Sequence, residues 1–417
     1  MFFRRRRRRS LLRRVVHRSL LTFLAAQVGV VATLMGIDAW RKRIRPHRAT
    51  FPRTDPVRLP VGDSVTTTYT YGEDVYADML GAIREAKDHI FLESYIIKGD
   101  ATGREFKRAL IEAADRGVEV FVVFDGFANL VVPRSFQEFP ASVNVLRYPT
   151  FRLGVLFLNV RKSGRDHRKI LVVDGHIGFV GGYNIGALYA TEWRDTHLRI
   201  EGPSVWELEN AFVDFWNMQR REDQPRIADH GSAVWEPRIR AYRNVPEQLI
   251  YPIRGMYLEA IDRAHDHIYI TQAYFIPDRE ILQALLSAAR RGVDVRILVP
   301  ENSNHVVADW LSRGFYSSLL RGGVTLWLYQ DAMVHAKTAT IDGRWSTIGT
   351  ANIDRLSLTG NYEINVEIFD DDVAANLETA FDNDSGNTRS LTLAEWSGRP
   401  FAAKFSELVL APLRPLL

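Results

Sequence analysis

Two stretches of the chain carry the same reactive residue types at the same spacing. His167, Lys169 and Asp174 form H-x-K-x4-D within HRKILVVD, and His335, Lys337 and Asp342 repeat it within HAKTATID. Each histidine is followed 17 residues later by an asparagine, Asn184 or Asn352, and 28 residues later by a carboxylate, Asp195 or Glu363. One such motif arises by chance; agreement at all these positions does not. Positions i and i+2 of a strand share a face, so each imidazole projects beside an ammonium. That pair suits a phosphate: lysine neutralises an oxygen while the imidazole attacks phosphorus or carries a proton. Asn184 and Asn352 follow small residues (Gly181-Gly182 and Gly349-Thr350), which permit close backbone approach, and their amides suit nonbridging phosphoryl oxygens. Asp195 and Glu363 are candidates to hold the second nitrogen of each imidazole and set its tautomer. Asp174 and Asp342 complete the candidate catalytic motif. Their opposite parity and following glycine nevertheless suit them better to turn formation and structural hydrogen bonding.

Two histidines and two lysines meeting about a pseudo-twofold axis would support a two-step displacement. One neutral imidazole attacks to give a phosphohistidine; the other, protonated, supplies the leaving alkoxide with a proton and then deprotonates the incoming hydroxyl. The duplication leaves open which histidine does which. With no cysteine and no H-E-x-x-H motif, neither a metal nor another cofactor is expected.

The elements that position these residues repeat as well. AIREAKDHI (82–90) returns as AIDRAHDHI (260–268), and RGVEVFVVF (116–124) as RGVDVRILV (291–299). Helical spacing over 76–87, a strand over 89–97, a helix over 103–116 and a buried strand over 118–125 predict β/α alternation. Each Asp-Gly pair predicts a hairpin turn. The fold class expected is α/β: two tandem repeats, each a mixed, mainly parallel sheet flanked by helices, paired by a pseudo-twofold axis. The expected organisation is a basic segment (1–18), a transmembrane helix (19–39), a basic linker (40–65), a first domain (66–222), a linker (223–245), a second domain (246–388) and a tail (389–417).

With 417 residues, 25% of them charged, and 46% hydrophobic, the chain has the composition of a two-domain globular protein. It contains no cysteine, which excludes disulfides and thiolate metal sites. Nine arginines and no acid fall in the first 18 residues, so the remainder of this +4 chain is slightly acidic and no nucleic-acid partner is expected. The apolar run 19–37 would span roughly 28 Å as a helix, close to the ~30 Å bilayer core. Arginines on both sides of it favour an anionic membrane surface.

FLESYII (91–97), RDHRKILVVDGHIGFVGGYNIG (165–186), RIEGP (199–203), YFIPD (274–278) and ANIDRLSLTGNYEINV (351–366) carry a resemblance to the phospholipase D superfamily, and within it to bacterial cardiolipin synthases. It covers about Thr66 to Asp384. Thr350 stands where that family often has serine and supplies the same hydroxyl. The resemblance implies a phosphatidyltransferase that joins two phosphatidylglycerol molecules and releases glycerol, with His167 as nucleophile and His335 as acid and base. It also implies phospholipid substrates and a single-pass anchor in the bacterial plasma membrane. A phospholipase D that uses water as acceptor would share every catalytic residue. A superfamily nuclease would need a basic groove in the catalytic halves, and a lipid-binding scaffold would tolerate loss of the histidines.

Overall fold

A computed structural model describes residues 2–44, 50–151, 163–232, 236 and 238–416, with side chains from Val16 onward except at 42, 44, 415 and 416. The first half contributes strands β1 (Val57–Val61), β2 (Ser64–Tyr69), β3 (His89–Ser94), β4 (Glu119–Asp125), β5 (Val143–Tyr148), β6 (Lys169–Val173), β7 (Ile177–Gly181), β8 (Trp193–Arg194) and β9 (His197–Glu201). All but β8 join one sheet in the order β1-β2-β9-β7-β6-β3-β4-β5. The second half contributes β10 (Ile239–Asn244), β11 (His267–Gln272), β12 (Asp294–Pro300), β13 (Thr325–Tyr329), β14 (Met333–Val334), β15 (Lys337–Ile341), β16 (Trp345–Gly349), β17 (Glu363–Phe369) and β18 (Thr388–Ser390). All but β14 form a second sheet, β10-β17-β16-β15-β11-β12-β13-β18. The run β9-β7-β6-β3-β4-β5 recurs as β17-β16-β15-β11-β12-β13, so the duplication is one of topology as well as sequence.

The sheets are mixed, as expected, but they are not mainly parallel. Within the two eight-stranded sheets, parallel pairing is confined to β3-β4-β5 and β11-β12-β13. Helices Ala101–Asp115 and Arg279–Arg290 supply the crossovers that β3-to-β4 and β11-to-β12 need. The other neighbours in these sheets run antiparallel: β1-β2, β6-β7 and β15-β16 are tight hairpins, and pairs such as β3-β6, β7-β9 and β16-β17 meet across longer connections. The decisive turns are the two Asp-Gly pairs. Asp174 and Gly175 have φ of 53° and 62°, and Asp342 and Gly343 have 54° and 63°. Positive φ at both central positions gives the hairpin turn whose twist matches the strands, and glycine adopts it without steric cost.

The expected linkers are shorter than the composition suggested. Helix Phe2–Ile44 extends into the first, and β1 and the start of β2 occupy its end. Pro60 is accommodated because β1 is an edge strand. The second contains β10, also an edge, and the tail is largely helical over Leu393–Ser397 and Phe401–Leu410.

One apolar core lies beneath the helices of each half, built around Val75, Phe106 and Leu171 in the first and Ile261, Leu285 and Ile297 in the second. A third core joins the halves and includes Phe91, Ile170, Phe212 and Trp216 with Ile348, Ile364 and Val366. The halves are also stitched by backbone. β14 pairs in parallel with β8, and Asp166 bridges to Tyr362. Buried Arg194 adds an ion pair to Asp384 at 2.7 Å.

Within the N-terminal helix, Val16–Arg41 is long and apolar enough to cross a membrane by length and composition. Leu34 packs with Ile276, Leu311 and Leu410, and buried Gln27 donates to the Val409 carbonyl at 3.1 Å. Most other apolar side chains of this helix face outward, Val28 and Trp40 among them.

Candidate active site

His167 and His335 each lie two residues ahead of a central strand, β6 or β15, at the seam between the halves. The seam contacts fix them there. His167 N–H donates to the Tyr362 carbonyl at 3.0 Å, and His335 N–H donates to the Arg194 carbonyl at 2.7 Å. Tyr362 and Arg194 are the residues immediately before Glu363 and Asp195. Each histidine is therefore held against the segment that carries the other half's carboxylate.

The side chains follow. Nδ1 of His167 lies 3.0 Å from Glu363 Oε2, and Nδ1 of His335 lies 2.6 Å from Asp195 Oδ2. Sequence spacing had singled out both carboxylates as imidazole partners; the structure pairs them across the seam. With Nδ1–H facing a carboxylate, Nε2 of each ring is the nitrogen left for chemistry.

Gly182 makes room for this arrangement, because a Cβ there would lie 2.0 Å from Asp195 Oδ1. The small residue thus serves the carboxylate. Asp195 Oδ1 also accepts the Thr196 amide at 2.8 Å. Thr350 Oγ1 donates to Glu363 Oε2 at 2.5 Å, while Glu363 Oε1 has no hydrogen-bond partner among the described residues.

Lys169 Nζ donates to the His167 carbonyl at 2.6 Å, and Lys337 Nζ donates to the His335 carbonyl and lies 2.9 Å from His335 Nδ1. Asn184 Oδ1 accepts the Ile96 amide at 3.2 Å, whereas buried Asn352 Oδ1 has no partner among the described residues. Two aromatic neighbours were not picked out as site residues from sequence. Tyr95 meets the His167 ring edge-on at 4.7 Å, and Trp193 packs on His335 at 4.7 Å. Tyr95 sits inside FLESYII and Trp193 two positions before Asp195, so proximity to a motif was the available signal.

Asp174 and Asp342 lie at the far ends of β6 and β15, five residues from the lysines, roughly 16 Å along a strand. Asp174 accepts the backbone N–H groups of Lys87, Asp88 and His89 at 2.9, 2.8 and 3.0 Å. Asp342 accepts those of His265, Asp266 and His267 at 3.0, 2.8 and 3.0 Å. This corrects their place in the candidate catalytic set: both carboxylates are committed to pinning the start of a neighbouring strand to the hairpin turn.

Burial governs the protonation of the cluster. It pushes His167 well down, with help from Lys169 and Lys337, and pushes His335 down to about 3, with help from Lys337. Both rings are neutral in the free protein. Burial also lowers Lys169 to about 8 and Lys337 to about 7 despite the attraction of Glu363 and Asp195. The carboxylates differ. Burial lifts Glu363 to about 7. Burial acts on Asp195 too, but Lys337 and His335 outweigh it and hold that group below the usual carboxylate range.

The sequence profile described as "Cardiolipin synthase, PLD-like domain" matches residues 79–216 and 257–385, one match in each half. The chain is 34% identical over 369 residues to a protein named cardiolipin synthase 2 from Staphylococcus epidermidis, covering 85% of this chain and 75% of that one. It is 31% identical over 393 residues to a protein named major cardiolipin synthase from Bacillus subtilis, covering 89% and 81%. Among solved structures, a phosphatidylserine synthase from Haemophilus influenzae superposes with a TM-score of 0.67 at 14% identity, covering 89% of this chain and 98% of that one, a likeness of fold. Duplicated motifs, a shared topology and matches in both halves place the chain in the family of cardiolipin synthases with PLD-like domains.

Proposed function

We propose that the protein is a phosphatidyltransferase making cardiolipin from two molecules of phosphatidylglycerol at the membrane that its N-terminal helix crosses, in bacteria the plasma membrane. The observation that carries the proposal is the pair of crossed imidazole–carboxylate contacts flanked by two buried lysines. Names borne by relatives at 31–34% identity supply the substrate class.

In this mechanism Nε2 of His167 attacks the phosphorus of one phosphatidylglycerol. The P–N bond forms as the P–O bond to the headgroup glycerol breaks, and His335 gives its proton to the departing glycerol oxygen. Glycerol leaves. A hydroxyl of the second phosphatidylglycerol then attacks phosphorus, its proton passes to His335, and the P–N bond breaks. Lys169 and Lys337 neutralise the phosphodiester, and the amide hydrogens of Asn184 and Asn352 meet its nonbridging oxygens.

The unequal carboxylates support this division of labour. Anionic Asp195 favours an imidazolium at His335, the acid, once the substrate's negative charge offsets the lysines. Glu363, raised to about 7, exerts a weaker pull on a proton at His167, which must stay neutral to attack.

The test is to incubate purified full-length protein with phosphatidylglycerol and identify products by mass spectrometry. Cardiolipin with equimolar glycerol is the expected result. Phosphatidic acid alone would make the protein a hydrolase, with water as the acceptor.

A further inference from the structure

The loop that follows β4 is turned inside out relative to a loop built for water. Its polar residues are buried: Asp125 and Asn129 are 0% and 1% exposed. Its apolar residues are outside: Phe127, Leu130 and Val131 are 48%, 52% and 80% exposed. The polar groups hold the shape. Asp125 Oδ1 accepts the amides of Phe127 and Ala128 at 2.8 and 3.0 Å. Asn129 donates to the Tyr95 carbonyl at 2.8 Å and accepts the Ile97 amide at 3.0 Å. The apolar side chains are thus presented by a fixed scaffold. Contiguous exposed apolar surface of this kind marks contact with a partner or a membrane.

Its position selects the membrane. The register places Ser94 opposite both Lys169 and Phe124, so the loop leaves the sheet at the end that carries the site. Tyr95, bonded to the loop, is the residue against the His167 ring. In the second half the corresponding end receives the N-terminal helix. There Leu34 packs with Ile276, and Arg41 donates to Asn302, just beyond β12. The candidate membrane helix and the apolar loop therefore flank the same end of the molecule, one on each half. Arg165 lies beside the loop with its guanidinium carbon 4.6 Å from the Phe127 ring, giving a cation at the level where phosphates would sit.

We propose that Phe127, Leu130 and Val131 insert into the bilayer crossed by the N-terminal helix, so that the end of the molecule carrying the two histidines lies against the lipid headgroups. This rests on the phospholipid substrate proposed above and adds how that substrate arrives, directly from the membrane without crossing water.

The chain has no cysteine, so Val131→Cys gives a single labelling site. Lys87→Cys, exposed at the opposite end of the first sheet, is the control. Full-length protein carrying an environment-sensitive fluorophore at either position is reconstituted in phosphatidylglycerol-containing vesicles. The expected result is blue-shifted emission at position 131, quenched by nitroxide-labelled acyl chains, with neither effect at 87. A water-like, unquenched signal at 131 overturns the proposal, and this readout needs no turnover, so it stands apart from the enzymatic assignment. The second arm is Leu130→Asp with Val131→Asp. It is expected to raise KM for vesicle-borne phosphatidylglycerol about ten-fold while leaving kcat/KM for monomeric dihexanoyl phosphatidylglycerol within about two-fold. Equal loss on both substrates overturns the proposal, because it signals damage to the site.

Discussion

The two histidines share a contact pattern but not an electrostatic one, since Asp195 stays ionised beside His335 while Glu363 is lifted to about 7 beside His167. Replacing either His167 or His335 by alanine is expected to lower turnover by about 10³-fold or more, the scale of losing a nucleophile or a positioned acid. The two variants should nevertheless differ. Denatured at alkaline pH, where a P–N bond survives, His335→Ala should retain a phosphatidyl adduct detectable by intact-protein mass, and His167→Ala should not; an adduct on the His167→Ala protein would reverse the roles. The lysines set the pH dependence. Each must be protonated to hold a phosphodiester, so kcat/KM is expected to fall as pH rises through about 7 to 8, the positions of Lys337 and Lys169 in the free protein. Arginine stays charged throughout that range. Lys337→Arg should therefore slow the enzyme yet move the alkaline limb from about 7 toward about 8 in a profile of kcat/KM against pH. Residue types and spacing made the histidines, lysines and late carboxylates legible before any fold was known. They could not reveal the crossing, because a fixed 28-residue offset is equally compatible with a partner in the same half or in the other.

At the scale of elements, the Asp-Gly hairpins act as structural pins. Asn tolerates the left-handed conformation that Asp342 adopts, so Asp342→Asn isolates the loss of charge from any backbone effect. It is expected to cost about 1 to 2 kcal/mol in denaturant unfolding at pH 7, while kcat per folded molecule holds. Three backbone amides keep the folded Asp342 carboxyl below its ordinary value although burial opposes them. Its contribution is thus complete above the unfolded value of about 4 and fades as pH falls through the folded one, so the stability gap between the variant and the parent should narrow as the medium is acidified. A large loss of kcat in well-folded Asp342→Asn would return this aspartate to the reaction. The strands and helices between 72 and 125 were readable from periodicity. Strand direction was not, because the β/α alternation that signals parallel pairs covers β3 to β5 and their counterparts, while β6, β7 and β9 run antiparallel to their neighbours. The edge strands β1 and β10 hid in proline-bearing, charged stretches that resemble linkers.

For the whole molecule, the N-terminal helix is both a candidate span and part of the packing, since Leu34 closes a cluster with Ile276, Leu311 and Leu410. Removing residues 1–44 is expected to convert a protein that needs detergent for extraction into one released by alkaline carbonate, because the apolar loop and the uncovered cluster still bind the surface. Sedimentation of membranes washed with carbonate or with detergent distinguishes the two. A truncated protein that is wholly soluble at neutral pH would show that the helix alone supplies membrane affinity.

The crossed carboxylates also have a meaning for descent. A single ancestral unit with this topology would have lacked an orienting group for its own histidine and could work only when a second copy supplied one. Fusion of two copies replaced a concentration-dependent encounter with an intramolecular one. From then on the halves ceased to be interchangeable, and one could keep an aspartate while the other took a glutamate. Any later change at Asp195 is answered at His335, in the opposite half, so the two halves must evolve as a single unit.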